Sequence, residues 1–485
     1  MHAIIQGSSK MLEKRDFYIN GQWVAPQVAN DFPVIDPSSE EQCATISLGG
    51  QADTDAAVAA ARGAFDSWSR TPQEERIALI EKLAAIYDRR QEEMAQAMSM
   101  EMGAPIDLSR AQQVGAGSWH IGGFLKAFRD FSFERDFTST EKTLLEPIGV
   151  CALITPWNWP MNQIILKVVP AIATGCTVVL KPSEVSPLSG VLFAEYMDEA
   201  GFPPGVFNLV NGDGAGVGSQ LSAHPGVDMV SFTGSTRAGI AISKAAADTL
   251  KRVSLELGGK GANIIFEDAN PKAAKQGAIR CFRNSGQSCN APTRMLVHKS
   301  RYDEAVESAA EVANNTHVGP ASEEGKHIGP VVSEAQFNKI QGLIEKGMSE
   351  ARLVAGGMGR PDGLNRGYYV KPTVFADVSN DMTIAREEVF GPVLSIIPFE
   401  TEEEAIEIAN DTLYGLTNYI QTEDDDKRRR VARRLRSGMV ETNGQGFAQG
   451  SPFGGYKQSG NGREGGVFGI EEFLEVKAVS GWAAE

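Results

Sequence analysis

The sequence predicts two doubly wound α/β domains, and three observations carry that prediction. The chain has 485 residues, too many for one domain at roughly 100 to 200 residues each. From Gly149 onward, short apolar strands recur at regular intervals with helical patterns between them, and a second run of the same kind extends from Ala262 to about Ser451. Strands that alternate with helices require right-handed crossovers, which give parallel sheets covered on both faces, with ligands at the strands' carboxyl ends.

The elements follow in order. Phe17-Tyr18-Ile19-Asn20-Gly21 is a strand running into a turn, and the ten residues before Met11 read as a leader or remnant. Asp53-Thr54 caps an Ala-rich helix over 55–68, and Pro72 opens a longer one that Gly103 and Pro105 end. The first sheet takes strands at 150–155, 177–180, 207–210, 229–232 and 253–257, with helices at 189–200 and 216–223 between them. The second takes strands at 264–266, 295–297 and 393–397, and a helical stretch over 271–282. The alternation in 138–145 suits an exposed strand seeking a partner, or a hairpin.

Composition narrows the function. Lys and Arg number 46 against 62 Asp and Glu, a net charge of −16, which repels phosphate backbones and anionic lipid heads. The expected partners therefore include neither nucleic acid nor membrane. No apolar run approaches the roughly 18 to 20 residues that span a bilayer. Five cysteines without Cys-x-x-Cys spacing argue against a metal or dithiol site and for a reducing, cytoplasmic compartment. The run from Asp424 to Arg436, acidic and then basic, reads as a solvated helix aligned with its own dipole.

Three residues carry chemistry. Cys289 sits in the turn Gly286-Gln287-Ser288-Cys289, where backbone dipoles can activate a thiol, although a structural cysteine would look alike. Glu256 ends an apolar strand before Leu257-Gly258-Gly259, placing a carboxylate at a sheet's carboxyl edge as a general base or a salt-bridge partner. Asn158, in Thr155-Pro156-Trp157-Asn158-Trp159-Pro160, is a rigidly mounted donor for an oxyanion, or part of a merely stiff turn. Glycine-bearing turns at Asn211 to Gly214 and Phe232 to Ser235 follow strands as phosphate cradles do, yet neither fits G-x-G-x-x-G.

Together these motifs resemble the aldehyde dehydrogenase superfamily, in order: Pro156 to Pro160, Lys181 to Glu184, Phe232 to Gly239, Leu255 to Lys260, Gly286 to Cys289, Glu387 to Val393 and Pro452 to Glu464. The likeness runs from about Phe17 to Val479. It implies an NAD-binding domain over 1–128 and 148–257, a catalytic domain over 258–455, and a small β oligomerisation arm with the C-terminal segment over 129–147 and 456–485, joining copies as a homodimer or homotetramer.

By the resemblance, Cys289 attacks the aldehyde, Asn158 and the Cys289 N–H hold the oxyanion, Glu256 activates the hydrolytic water, and Lys167 with Glu464 relays its proton. NAD is bound by Thr155, Pro156, Trp157, Lys181, Ser183, Glu184, Gly214, Phe232, Gly234, Ser235, Leu257, Glu388 and Phe390. Glu184 favours NAD over NADP, because a carboxylate accepts from a ribose hydroxyl and repels a phosphate. Trp159, Met161, Leu166 and Phe447 suggest an apolar tunnel for medium-chain or aromatic aldehydes, while Arg283 matches a position that reads a carboxylate in acid semialdehyde dehydrogenases. Two other readings stay open: acylation of coenzyme A, against which Glu256 argues, and a non-catalytic protein that keeps the fold.

Overall fold

The computed structural model describes residues 11–482; the leader reading of residues 1–10 lies outside them. Five parallel strands form the middle of an eight-stranded sheet, in the order Arg252–Glu256, Met229–Thr233, Val150–Ile154, Thr177–Lys181 and Phe207–Leu209. Four of the five are buried at every or nearly every residue, as strands covered on both faces must be. The chain starts at the central strand Val150–Ile154, works out to one edge, then returns to the other side. The reversal opens a crevice between the carboxyl ends of Val150–Ile154 and Met229–Thr233, the expected ligand position in such a sheet.

Phe17–Ile19 and Gln22–Val24 extend one edge antiparallel, and Gly460–Asn461 caps the other by pairing with Leu255 and Glu256. Within the expected arm and C-terminal segment over 456–485, Gly460–Asn461 belongs to the first sheet and the helix Gly466–Glu471 packs on the helix Val114–Arg129. Only Leu474–Ser480 joins Glu141–Pro147 and Glu134–Asp136 in the three-stranded arm. Glu141–Pro147 is thus the arm's middle strand, with both neighbours from its own chain, and the open edges are Leu474–Ser480 and the shorter Glu134–Asp136. A further three-stranded sheet of Leu12–Lys14, Glu41–Ser47 and Asp31–Asp36 was not expected; its strands mix apolar and polar residues without a continuous apolar run.

The second sheet has seven strands, Arg352–Ala355, Thr373–Ala376, Val393–Phe399, Arg294–His298, Ala262–Ile265, Thr417–Gln421 and Met439–Thr442, parallel except for the first. Its outer helix Asp425–Arg434 is capped by Asp424, with acids in the first turn and arginines in the last. Arg430 and Arg434 pair with Glu402 and Glu403 of the neighbouring helix, so this basic run is a solvated, paired face. The long N-terminal helix spans Gln51–Ser69 and so begins about one turn before the cap read at Asp53-Thr54; Asp53 caps it from the third helical position by accepting the Gly50 N–H at 2.9 Å. Leu257 to Gly261 joins the two sheets, so the carboxyl edge of the first faces the amino edge of the second.

Candidate active site

Cys289 lies where the two sheets meet, partly exposed, just ahead of the strand Arg294–His298. Its loop is held by strained backbone. Asn284, Ser285 and Gly286 are three successive residues with φ of 53°, 57° and 71°, in a region that costs ordinary side chains about 1–3 kcal/mol. A side chain at Gly286 would put Cβ 2.0 Å from the Gly391 carbonyl oxygen, so only glycine fits. Hydrogen bonds offset the strain. The Ser285 hydroxyl donates to the Gly329 carbonyl at 2.7 Å, and the Val332 N–H donates to Gln287 Oε1 at 2.9 Å.

The same network holds Asn158. Its Nδ2 donates to the Gln287 carbonyl at 3.1 Å, and its own carbonyl accepts from Gln113 Nε2 at 3.1 Å and Asn284 Nδ2 at 3.0 Å. Gln113 comes from a π-helical turn, Ser109–Gln113, whose extra residue redirects the side chain inward. Neither Gln113 nor Asn284 was singled out from sequence; the asparagine in Arg283-Asn284-Ser285-Gly286 was the available signal. The neighbouring Trp159 Nε1–H donates to the Ser288 hydroxyl at 2.8 Å.

Glu256 is buried with neither carboxylate oxygen hydrogen-bonded. Burial, and then the nearby charge of Glu464, push its carboxyl well above the usual range. Burial likewise raises the Cys289 thiol, with the Glu256 and Glu388 charges adding to it. Lys167 and Glu464 form an ion pair buried from solvent, and the second Glu464 oxygen has no partner.

Two cavities meet at Cys289. One, of about 180 Å³, is lined by Pro156, Trp157, Asn158, Gly234, Ser235, Leu257, Glu388 and Phe390, all expected, and by Thr233, Gly258, Gln336 and Lys339, which were not. The Trp157 and Phe390 rings meet edge-on at 5.4 Å. Glu388 accepts the Gly259 N–H at 2.8 Å, and burial raises its carboxyl. Ser235 caps the helix Thr236–Ala247 beside this cavity, offering a helix N-terminus to an anion. The hydroxyls of Thr155 and Thr233, at the two strand ends flanking the crevice, have no partner. Further along the sheet edge, Lys181 Nζ donates to the Gly212 carbonyl at 2.6 Å and lies 3.5 Å from Glu184; burial lowers its ammonium. Ser183 follows the strand Thr177–Lys181, and Gly214 opens the π-helical segment Gly214–Gly218. Phe232 is buried beneath the site, with its ring against Gly234.

The other cavity, about 270 Å³, is lined by Trp159, Leu166 and Phe447 as expected, together with Ala116, Trp119, His120, Asn162, Gln163, Asn290, Met439, Pro452, Phe453 and small residues between them. Two expected wall residues are elsewhere. Met161 is wholly buried in the first domain's core: on the helix Pro160–Thr174 the cavity face carries positions 162, 163 and 166, and position 161 is rotated about 100° away. Arg283 is exposed and absent from the wall. The left-handed turn beginning at Asn284 directs Asn284 inward, and Arg283 outward.

The aldehyde dehydrogenase family model matches residues 23–479. The chain belongs to the aldehyde dehydrogenase family. It is 52% identical over 475 residues to the 3-succinoylsemialdehyde-pyridine dehydrogenase of a Pseudomonas species, covering 97% of this chain and 99% of that one. The aldehyde dehydrogenase of Bartonella henselae superposes with a TM-score of 0.97 at 59% identity, covering 97% of this chain and all of that one. Aldehyde dehydrogenase C of Pseudomonas syringae, a cysteine-to-alanine variant crystallised with NAD+ and octanal, superposes with a TM-score of 0.96 at 49% identity, each chain 97% covered. Within this aldehyde dehydrogenase, no described helix is long and apolar enough to cross a membrane, and the described residues form no cluster of three metal-ligating side chains.

Proposed function

We propose that this aldehyde dehydrogenase oxidises a neutral aldehyde, aromatic or of medium chain length, to its carboxylic acid with NAD. The observation that carries the reading is the position of Cys289 on the shared wall of two unlike cavities, one with a helix N-terminus, Glu388 and Lys339, the other without any charged side chain. The first fits a dinucleotide: unpartnered hydroxyls at Thr155 and Thr233, the cap at Ser235, and Lys181 with Glu184 for ribose hydroxyls further along the edge. The uncharged second cavity argues against an acid semialdehyde, whose carboxylate would go unpaired there. A relative named for a pyridine-bearing semialdehyde accords with aromatic walls.

Cys289 adds as thiolate to the aldehyde carbon, and its backbone N–H with the second Asn158 Nδ2 proton receives the oxyanion. NAD, when bound, supplies the acceptor for the hydride lost as the thiohemiacetal collapses. Cys289 then holds a thioester. Glu256, whose raised carboxyl takes up protons readily, removes one from a water as that water adds to the thioester carbon and the thiolate leaves. Lys167 and Glu464 lie behind it to pass the proton on. Water rather than coenzyme A is the acyl acceptor, since a buried base is wasted on a thiol that is already acidic enough. The arm, through the longer of its open edges, Leu474–Ser480, joins copies as a dimer or tetramer. The five free cysteines suit the cytoplasm.

The test is NADH formation from NAD and a panel of aliphatic, aromatic and semialdehyde substrates, beside Cys289→Ala and with or without coenzyme A. Turnover independent of coenzyme A that vanishes in the variant is expected. NAD binding without turnover of any aldehyde would leave the non-catalytic reading.

A further inference from the structure

Resting on the reading of the second cavity as the aldehyde tunnel, we infer that Asn162 and Gln163 form a hydrogen-bonding station within it that selects aldehydes carrying a neutral acceptor, a keto oxygen or an aromatic ring nitrogen, along the chain. Both residues lie on the first turns of the helix Pro160–Thr174 and line the tunnel that ends at Cys289. Polar side chains here need a reason, because most of the wall is apolar, with His120, Asn290 and Ser451 as its other polar side chains besides Cys289, and a buried amide without a partner costs about 1–3 kcal/mol.

Their orientation is set by protein contacts. His120 Nε2 and Asn162 Oδ1 are 2.8 Å apart. An amide oxygen only accepts, so the imidazole donates through Nε2–H, and burial, which lowers the His120 pKa, keeps the ring neutral in that tautomer. The bond engages Asn162 Oδ1 and leaves Nδ2, on a side chain that lines the tunnel, without a partner among the described residues. Gln163 is 4% exposed, and its Oε1 is enclosed without any partner, which leaves Nε2 as its polar atom on the cavity side. Two amide donors from consecutive residues thus converge on a space with no charge and no competing carboxylate. The chemistry they recognise is a neutral acceptor; a carboxylate would bring an uncompensated charge, and a purely aliphatic chain would leave both amides unsatisfied. His120 is a positioning residue, acting through Asn162.

The experiment compares kcat/KM for a matched pair, 4-oxo-4-phenylbutanal and 4-phenylbutanal, which differ only in the keto oxygen, with 4-oxo-4-(pyridin-3-yl)butanal as a third arm. The wild-type enzyme is expected to prefer the keto compound by about 10-fold or more, since a site built around a hydrogen bond rejects the analogue lacking it. In Asn162→Leu, with the same branching and number of side-chain heavy atoms, the ratio should fall toward one, and in His120→Phe, where the amide is free to turn, it should fall part-way; Asn162→Gln should restore part of it. Because the readout is a ratio, general loss of activity or stability does not move it. Turnover of both compounds with a wild-type ratio near one, or a ratio unchanged in Asn162→Leu, would overturn the inference. Absence of turnover with every aldehyde would instead overturn the reading of the site as one that oxidises aldehydes with NAD.

Discussion

Glu256→Gln separates catalysis from stability more sharply than any other substitution. In the folded enzyme Glu256 is 3% exposed, neither oxygen has a partner, and its carboxyl is pushed well above the usual range by burial and by Glu464. Ionised, the group therefore destabilises the fold. A glutamine has the same shape and no charge, so thermal stability should be unchanged or higher, by an increment that grows as pH rises and more of the wild-type carboxyl ionises. Catalysis moves the other way. A general base contributes about 10²- to 10⁴-fold, and its loss falls on thioester hydrolysis while formation of the thioester proceeds. The variant should release up to one equivalent of NADH per Cys289 in a burst, then turn over about 10²- to 10⁴-fold more slowly than wild type. Stopped-flow NADH absorbance with intact-protein mass spectrometry reads both the burst and the trapped acyl group. Wild-type steady-state turnover would refute the role of Glu256, and a clear loss of thermal stability would refute the account of an unpaired buried carboxylate.

Three further predictions come from other parts of the molecule. The Cys289 thiol, raised by burial and the Glu256 charge, should be a poor thiolate at neutral pH in the free enzyme; the rate of iodoacetamide labelling at Cys289, followed by peptide mapping, should climb tenfold per pH unit from 7 to past 9, and a plateau below 8.5 would contradict the direction. Glu101 is buried and accepts the N–H groups of Leu188 and Ser189 at the start of the helix Leu188–Ala200, with its carboxyl pushed up to about 7 against an ordinary 4.5. Its contribution to stability is present in full below the unfolded value and is lost as pH rises through about 7, so Glu101→Gln should flatten the fall in thermal midpoint between pH 5 and 8. Gly286→Ala, placing a Cβ 2.0 Å from the Gly391 carbonyl at φ of 71°, should displace the Cys289 loop and reduce kcat/KM by at least 10-fold; wild-type activity would mean the loop tolerates a shift that the packing forbids.

The five parallel strands of the first sheet and three of the second were readable from sequence because most are short apolar runs, which have few other ways to be buried; Arg352–Ala355, Thr373–Ala376, Thr417–Gln421 and Met439–Thr442 of the second sheet were not read, the last two because polar residues interrupt them. The additions were harder to read. Gly460–Asn461 has no apolar pattern at all, and it pairs with Leu255 and Glu256 only because the chain has already folded back across a separation of 206 residues. Likewise the tunnel was legible where a motif named a position, as at Trp159 and Leu166, and failed where side-chain direction decided. Met161 is apolar and adjacent to the right residues, yet it points one helical step into the core. Arg283 fails for a different reason: the direction of a side chain before three left-handed residues depends on backbone that no periodicity reveals. Gln113 was invisible because its role depends on a π-helical turn, a shift of one residue against the α-helical repeat.

The meeting of the two sheets also explains why the chemistry is assembled from both. Glu256 ends a strand of the first sheet and Cys289 precedes a strand of the second, so neither sheet alone brings base and nucleophile together. The approach is close enough that a side chain at Gly259 would put Cβ 2.3 Å from the Cys289 carbonyl oxygen, and that glycine also donates its N–H to Glu388. One short glycine segment therefore sets three separations at once: base from nucleophile, nucleophile from the dinucleotide cavity, and sheet from sheet. Any residue larger than glycine at 259 would widen all three, and since a misplacement of about 1 Å can cost 10²-fold in rate, the constraint on this position is kinetic before it is a matter of stability.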